Sequence, residues 1–279
     1  MAGDLDGARH RRRGDRPRVR VLVPAAGRST GAGVCLRVQI EACVDTLESA
    51  LLAEAGGADR VELCADLSDA GTTPSHGTLA LVLDRLRIPV FPIIRSRGGG
   101  FVYDENDVAV MRTDLAHARA LGAPGAVIGA LTASGEIDRG TIAQLREDAG
   151  PMALTFHRAF DHCADLLESL EVLIELGIDR VLTSGAEQSA WEGRELLALL
   201  VRRAAGRIGV MAGGGVNEDH AAELVRETGV AELHVRAAAL HHDSGRASHI
   251  TLRKAPSRDE LARGITSAER LRAIRQAIS

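Results

Sequence analysis

The chain predicts a single (β/α)8 barrel, an α/β fold, and three observations carry that reading. From Leu36 onward, short β-rich apolar runs alternate with longer segments of helical periodicity. The helical segments close on glycine before the next strand, as in Ala55-Gly56-Gly57, Leu121-Gly122 and Leu176-Gly177. The alternation occurs eight times across residues 36–279, close to the roughly 250 residues such a barrel takes. A doubly wound open sheet ranks below it. That fold wants fewer strands and a Gly-rich turn after the first, whereas Glu41-Ala42-Cys43-Val44-Asp45 follows here.

In chain order, the strands are expected at residues 37–41, 59–63, 89–94, 125–129, 152–156, 180–183, 209–211 and 232–235. The helices between and after them are expected near 46–55, 75–86, 105–121, 139–148, 164–176, 191–204, 218–228 and 267–278. The αβ junctions at 55–61, 121–123 and 175–181 look alike, each a Gly cap and a short turn into a strand, echoes of the unit rather than a sequence repeat. The rhythm breaks from Leu240 to Arg263, a polar stretch read as a long connection over the barrel mouth between strand eight and the last helix. Residues 1–34 hold eight Arg against three Asp and only a short apolar piece. They read as a disordered Arg-rich extension without the apolar core of a secretory signal.

Composition excludes several function classes. A net charge of -4 and six aromatic residues argue against nucleic-acid binding. No apolar run approaches the roughly 20 residues of a membrane span. Four cysteines in 279 residues make no disulfide framework, and they are expected to be reduced thiols of a cytoplasmic protein.

The chemistry gathers at the strand ends. Residues two apart on a strand share a face, so Glu41 faces the same way as Cys43, and Glu62 the same way as Cys64. Their neighbours Ile40, Ala42, Val61 and Leu63 are apolar, as a strand backed by helices requires, which turns the polar set toward the barrel axis. The same parity groups Arg95 with Arg97, Thr155 with His157, and His234 with Arg236. Thr155-Phe156-His157-Arg158-Ala159-Phe160-Asp161 sets an imidazole, a guanidinium and a carboxylate at the C-terminal end of a strand, where parallel folds bind ligands. Gly213-Gly214-Gly215-Val216-Asn217 follows strand seven and offers backbone N–H groups to an anion, and Thr183-Ser184-Gly185 is a similar turn after strand six. Arg97-Gly98-Gly99-Gly100-Phe101 is either a flexible lid or simply a loop.

This set supports Glu41, Glu62, His157 and Asp161 as candidate acids and bases. Arg95, Arg97, Arg158, Gly213, Gly214, Gly215, Asn217 and His234 are candidate contacts to a substrate. The inert alternative is an ion-paired plug in which Glu41 and Glu62 neutralise Arg95 and His157.

In combination, the stretches 41–45, 56–64, Gly71-Thr72-Thr73-Pro74-Ser75, 89–99, 155–161, Leu182-Thr183-Ser184-Gly185 and 213–217 resemble the CutC family. The resemblance runs from about Val38 to His234. It implies a TIM barrel, often a homo-oligomer, with a role in copper homeostasis and Cu(I) bound through the cysteines corresponding to Cys43 and Cys64. The sequence departs from the family pattern at His234-Val235-Arg236, where a Ser commonly stands two after the His. Two function classes therefore stand side by side. One is a copper(I)-binding protein whose soft thiolates suit the ion. The other is a hydrolase, lyase or isomerase acting on a small oxygen-rich or anionic molecule.

Overall fold

The computed structural model describes residues 37–245 and 261–279. The expected extension at 1–34 and the middle of the connection near the C-terminus lie outside the described residues. Eight parallel strands surround a central axis: β1 Gln39–Val44, β2 Arg60–Leu63, β3 Val90–Pro92, β4 Gly125–Ile128, β5 Ala153–Phe156, β6 Arg180–Thr183, β7 Gly209–Gly213 and β8 Glu232–Val235. They are hydrogen-bonded in the order β3-β2-β1-β8-β7-β6-β5-β4. The two ends meet through a parallel bridge between Ile93 and Val127 and a 2.8 Å bond from Ile94 N–H to the Val127 carbonyl, so the barrel is nearly closed.

Eight helices cover the outside: α1 Leu47–Ala55, α2 His76–Arg85, α3 Glu105–Ala120, α4 Arg139–Ala149, α5 Leu166–Glu175, α6 Arg194–Ala204, α7 Ala221–Thr228 and α8 Ala268–Ala277. Six begin at a side chain that accepts a bond from a first-turn amide: Thr46, Ser75, Asp104, Asp138, Asp165 and Ser267. Each such cap is worth about 1 kcal/mol and fixes where the βα loop ends.

Strand parity produces two separate apolar layers. Ile40, Ala42, Val61 and Leu63 join the core between sheet and helices, while Cys43, Cys64, Phe91, Ile93, Val127 and Ala153 cluster by themselves inside the barrel. The inward assignment of the cysteine-bearing faces therefore holds.

The polar stretch after β8 is not an irregular loop throughout. Ala238–His242 (β9) pairs antiparallel with Ala262–Thr266 (β10), from Ala238 opposite Thr266 to His242 opposite Ala262. The partner strands are remote in sequence, so local composition shows the histidines and hides the ladder. The Ser267 amide donates to the Ala237 carbonyl at 2.8 Å and Arg270 to the Ala238 carbonyl at 2.9 Å, which ties the hairpin to the start of α8.

Candidate functional site at the barrel mouth

The deepest polar tier is a closed set of ion pairs. The β1–β2 register sets Glu41 opposite Arg60 and Cys43 opposite Glu62, while β1–β8 sets Glu41 opposite His234. Arg60 donates through Nε to Glu41 and reaches Glu232 at 2.7 Å. Arg180 donates to Glu232 at 2.6 Å and to the Thr155 hydroxyl at 3.2 Å. The Phe91 ring lies beneath both guanidiniums, 5.1 Å from Arg60 and 6.0 Å from Arg180. Burial alone would push the Glu41 carboxyl up. The Arg60 charge and the His234 hydrogen bond overcome this and hold it well below the carboxylate range. Glu232 behaves alike, with burial opposed by Arg180 and Arg60.

Above this floor sit the thiols. Cys43 Sγ and Cys64 Sγ are 3.9 Å apart, and a Glu62 carboxylate oxygen completes a group whose atoms all lie within 4.8 Å of one another. His234 bridges the tiers, with Nδ1 2.9 Å from Glu41 and Nε2 3.5 Å from Glu62. The Cys64 thiol hydrogen-bonds Cys43 and, against burial and with help from His234, lowers the Cys43 thiol to about 5. The same pairing, with burial, pushes Cys64 up. Burial and the Cys43 charge raise Glu62 well above its usual value. For His234, burial is outweighed by Cys43, Glu41 and Glu62, which favour the imidazolium. The donor set fits a soft ion: two sulfurs 3.9 Å apart are within reach of one centre with bonds of about 2.3 Å, and one thiol is already ionised at neutral pH.

The mouth opens as a cavity of about 640 Å³, walled by Cys43, Glu62, Arg95, His157, Gly214 and His234 among others. Arg95 is only 3% exposed and is held by the backbone carbonyls of Asp69, Gly71 and Gly99 at 2.6–2.7 Å. Among the described residues it has no ion pair. Its guanidinium lies 5.3 Å over Phe101, whose ring centre is 5.1 Å from that of His157. Burial raises the Tyr103 phenol against the pull of the Arg95 charge, and among the described residues neither Tyr103 Oη nor Arg95 Nε has a hydrogen-bond partner. His157 is 5% exposed, and its Nδ1 accepts the Ala159 amide at 3.1 Å. That bond assigns the ring proton to Nε2, which is buried and has no partner among the described residues. Burial, then the Arg95 charge, lowers the imidazole to about 3, so it is neutral at ordinary pH. The ring fits because residue 129 is glycine, where any Cβ would overlap it.

The expected site residues separate into groups. Glu62, Arg95, Arg158, His157, Gly214, Gly215, Asn217 and His234 line the cavity together with Cys43. Glu41 lies beneath it in the floor, and Gly213 belongs to β7, where a Cβ would strike Leu182. Asp161 turns away. It accepts from Arg158 at 2.7 Å, from Thr183 and Ser184 hydroxyls, and from the Ser184 and Ala186 amides, so its oxygens order the loop after β6. Arg97 is outside as well, paired with Asp107 at 2.9 Å on the surface. Strand alternation does not extend to it because β3 ends at Pro92. The plug in which Glu41 and Glu62 would neutralise Arg95 and His157 does not form, since Glu41 answers Arg60 and Glu62 faces His234. Sequence reasoning passed over Arg60, Arg180 and Glu232. Carrying the inward parity one step back from Glu62, Leu182 and His234 would have found all three. Arg270, also on the cavity wall, comes from α8 and carries no strand-end signal.

Comparison with known proteins agrees with this arrangement. Residues 38–239 match the CutC family. A human protein named copper homeostasis protein cutC homolog is 41% identical over 263 residues, covering 93% of this chain and 94% of its own. A CutC family protein of Xanthomonas axonopodis pv. citri is 50% identical over 198 residues, covering 71% of this chain and 82% of its own. A solved CutC structure from Streptococcus agalactiae superposes with a TM-score of 0.69 at 34% identity, covering 71% of this chain and 98% of the other. Among the described residues no helix is long and apolar enough to cross a membrane. On sequence and fold together, this chain belongs to the CutC family.

Proposed function

We propose that the protein serves copper homeostasis by binding Cu(I) at the base of the mouth through Cys43 and Cys64. The observation that carries this reading is the pair of sulfurs 3.9 Å apart, with Glu62 close enough to add an oxygen. Thiolates are the donors Cu(I) prefers. Cys43 ionises near pH 5, so it is ready to ligate, whereas Cys64 gives up its proton only on binding, and ion uptake releases acid. A reducing cytoplasm keeps both thiols in the competent state. Competition against a Cu(I) chelator tests the reading. The Cys43→Ser/Cys64→Ser double variant is expected to lose at least tenfold in affinity, about 1.4 kcal/mol, because a hydroxyl is a hard, weakly acidic substitute for a thiolate. Wild-type affinity in the double variant would remove these residues from the account.

The cavity supports a second reading. Its volume of about 640 Å³ suits a small molecule rather than a bare ion. Glu62 leans toward the protonated form a few ångströms from His234, while Glu41 below stays ionised. Two carboxyls pushed to opposite protonation states are the ordinary preparation for acid–base catalysis on an oxygen-rich substrate. In a screen of small organic acids and phosphosugars, Glu62→Gln is expected to abolish any turnover the wild type shows. Undiminished turnover in that variant sinks the assignment.

A further inference from the structure

We propose that the mouth binds a small organic anion whose carboxylate or phosphate oxygen accepts the Nε2 hydrogen of His157 and faces the Arg95 guanidinium. In this site His157 is a fixed neutral donor to the ligand rather than the proton carrier its motif suggests. The proposal deepens the small-molecule reading of the cavity and does not depend on copper.

Three independent features converge on it. The first is the unfilled donor. His157 Nδ1 is committed to the Ala159 amide, so the hydrogen on Nε2 has a fixed direction, and it is buried with no acceptor among the described residues. Native interiors rarely leave such a group unpaired unless a ligand or water completes it. The second is an unanswered charge. Arg95 is buried, its three hydrogen bonds all go to uncharged carbonyls, and no carboxylate pairs with it among the described residues. Buried cations are ordinarily paired, and the missing partner is a negative group. Phe101 lies against both side chains, both line the same cavity, and the Arg95 charge acts on the His157 ring, so donor and cation are neighbours on one wall.

The third feature is the sign of the lining. Arg95, Arg158, Arg236 and Arg270 contribute to the wall against one carboxylate, Glu62. Arg158 is answered by Asp161 and Arg270 by Glu218, but Arg236, like Arg95, has no ion pair among the described residues. The wall across from β3 is also open at the backbone: Gly214 has φ +106°, and a Cβ there would stand 3.2 Å from an Arg158 nitrogen. A concave wall of this sign, with convergent donors and about 640 Å³ of space, selects an oxyanion attached to a small organic body.

The ring choice matters chemically. A neutral imidazole donor contributes direction without competing for the ligand's proton, and the Arg95 charge supplies attraction that does not titrate. Acid–base work then falls to the Glu62 side of the cavity, leaving the Arg95–His157 side to hold and polarise the ligand.

The test uses inorganic phosphate and malonate as probes, with chloride at matched ionic strength as the control. Nitrogen-15 correlation spectra of the histidine rings, with His157 assigned by its absence in His157→Gln, read the site directly. The expected result is a neutral ring protonated at Nε2 whose signal shifts saturably with malonate, phosphate or both; which one does so tells a carboxylate ligand from a phosphate ligand. Arg95→Gln is expected to weaken that binding at least tenfold, while Arg97→Ala, outside the cavity, leaves it unchanged. If Arg95→Gln does not fold, Arg236→Ser replaces it, with an expected loss of about fivefold. A His157 ring protonated on Nδ1, or a shift no larger than chloride causes, overturns the proposal. Saturable binding without turnover of any acid tested defeats the enzyme reading and leaves this site standing. Turnover that survives both Arg variants, with no His157 shift, does the reverse.

Discussion

The floor and the mouth of this barrel are one tier apart and treat buried charge in opposite ways. In the floor, Arg60 and Arg180 meet Glu41 and Glu232, each cation is answered by a carboxylate, and the set is neutral. At the mouth, Arg95 is buried with its hydrogen bonds going to carbonyls, and among the described residues the Nε2 hydrogen of His157 has no acceptor. Both tiers are carried by the same eight strands, the floor within them and Arg95 and His157 just past the C-terminal ends of β3 and β5, so the contrast is not one of fold. A barrel axis that only needs filling tolerates charge when it is locally closed, because the pairs repay part of their desolvation. An axis left with an unanswered cation is less stable than it could be, which is the usual cost of a place where something binds.

The largest test of the contrast removes one floor carboxylate. Glu232→Gln leaves Arg60 short of one partner and Arg180 without its one ion pair among the described residues, and stripping a partner from a buried pair costs about 3–5 kcal/mol. Arg95→Gln at the mouth breaks no ion pair among the described residues and should cost clearly less. Urea denaturation of the two variants beside wild type measures both. Equal losses would erase the distinction between a closed and an open tier.

Acid sharpens it next. The His157 imidazole sits at about 3 in the folded protein against 6.5 unfolded, so on acidification the unfolded chain takes up the proton first. The stability this neutral ring contributes is complete above pH 6.5 and is lost as pH falls toward 3, at about 1.4 kcal/mol per pH unit. Glu41, held well below the carboxylate range, adds no loss over the upper part of that window. Stability measured from pH 7 to 4 should therefore fall less steeply in His157→Gln than in wild type. Identical slopes would mean the ring is not held neutral.

How much of this the sequence disclosed follows from the range of each interaction. The eight βα units were legible because strand parity and Gly-capped helices are local, and parity correctly turned Glu41, Glu62, Cys43 and Cys64 inward. Which charge answers which was not. Glu41 and Arg60 are opposed only through the β1–β2 register, and Arg180 and Glu232 meet over β7, from strands that are not neighbours. Asp161 illustrates the converse: within a catalytic-looking motif it reads as an acid or base, yet its acceptor capacity is spent on the loop after β6. The β9–β10 ladder was hidden because its halves are far apart in the chain.

A smaller effect is expected at Arg236, which lines the cavity beside His234. Arg236→Ser should leave the urea midpoint nearly unchanged, since no ion pair among the described residues is broken, while weakening malonate or phosphate binding by about fivefold, roughly 1 kcal/mol. A gain in anion affinity would instead show that this side chain blocks the mouth.

The smallest expected effect is at Arg97, and it tests whether the boundary of the mouth is drawn correctly. Two-residue parity from Arg95 would bring Arg97 into the cavity, but β3 stops at Pro92 and the chain has left the extended conformation by then. Arg97 instead lies over Tyr103 at 5.1 Å and pairs with Asp107 at 2.9 Å, with nearly half of its side chain exposed. An exposed pair of this kind contributes about 0–1 kcal/mol, part of it from packing on the ring, and salt reduces it further. Arg97→Ala should therefore shift stability by less than about 1 kcal/mol and leave the affinity for malonate or phosphate at the wild-type value. Both numbers come from the same titrations that characterise Arg95→Gln. A loss of anion affinity at Arg97 approaching that at Arg95 would mean that the loop after β3 folds over the bound ligand, and the cationic mouth would then extend to a residue now assigned to the surface.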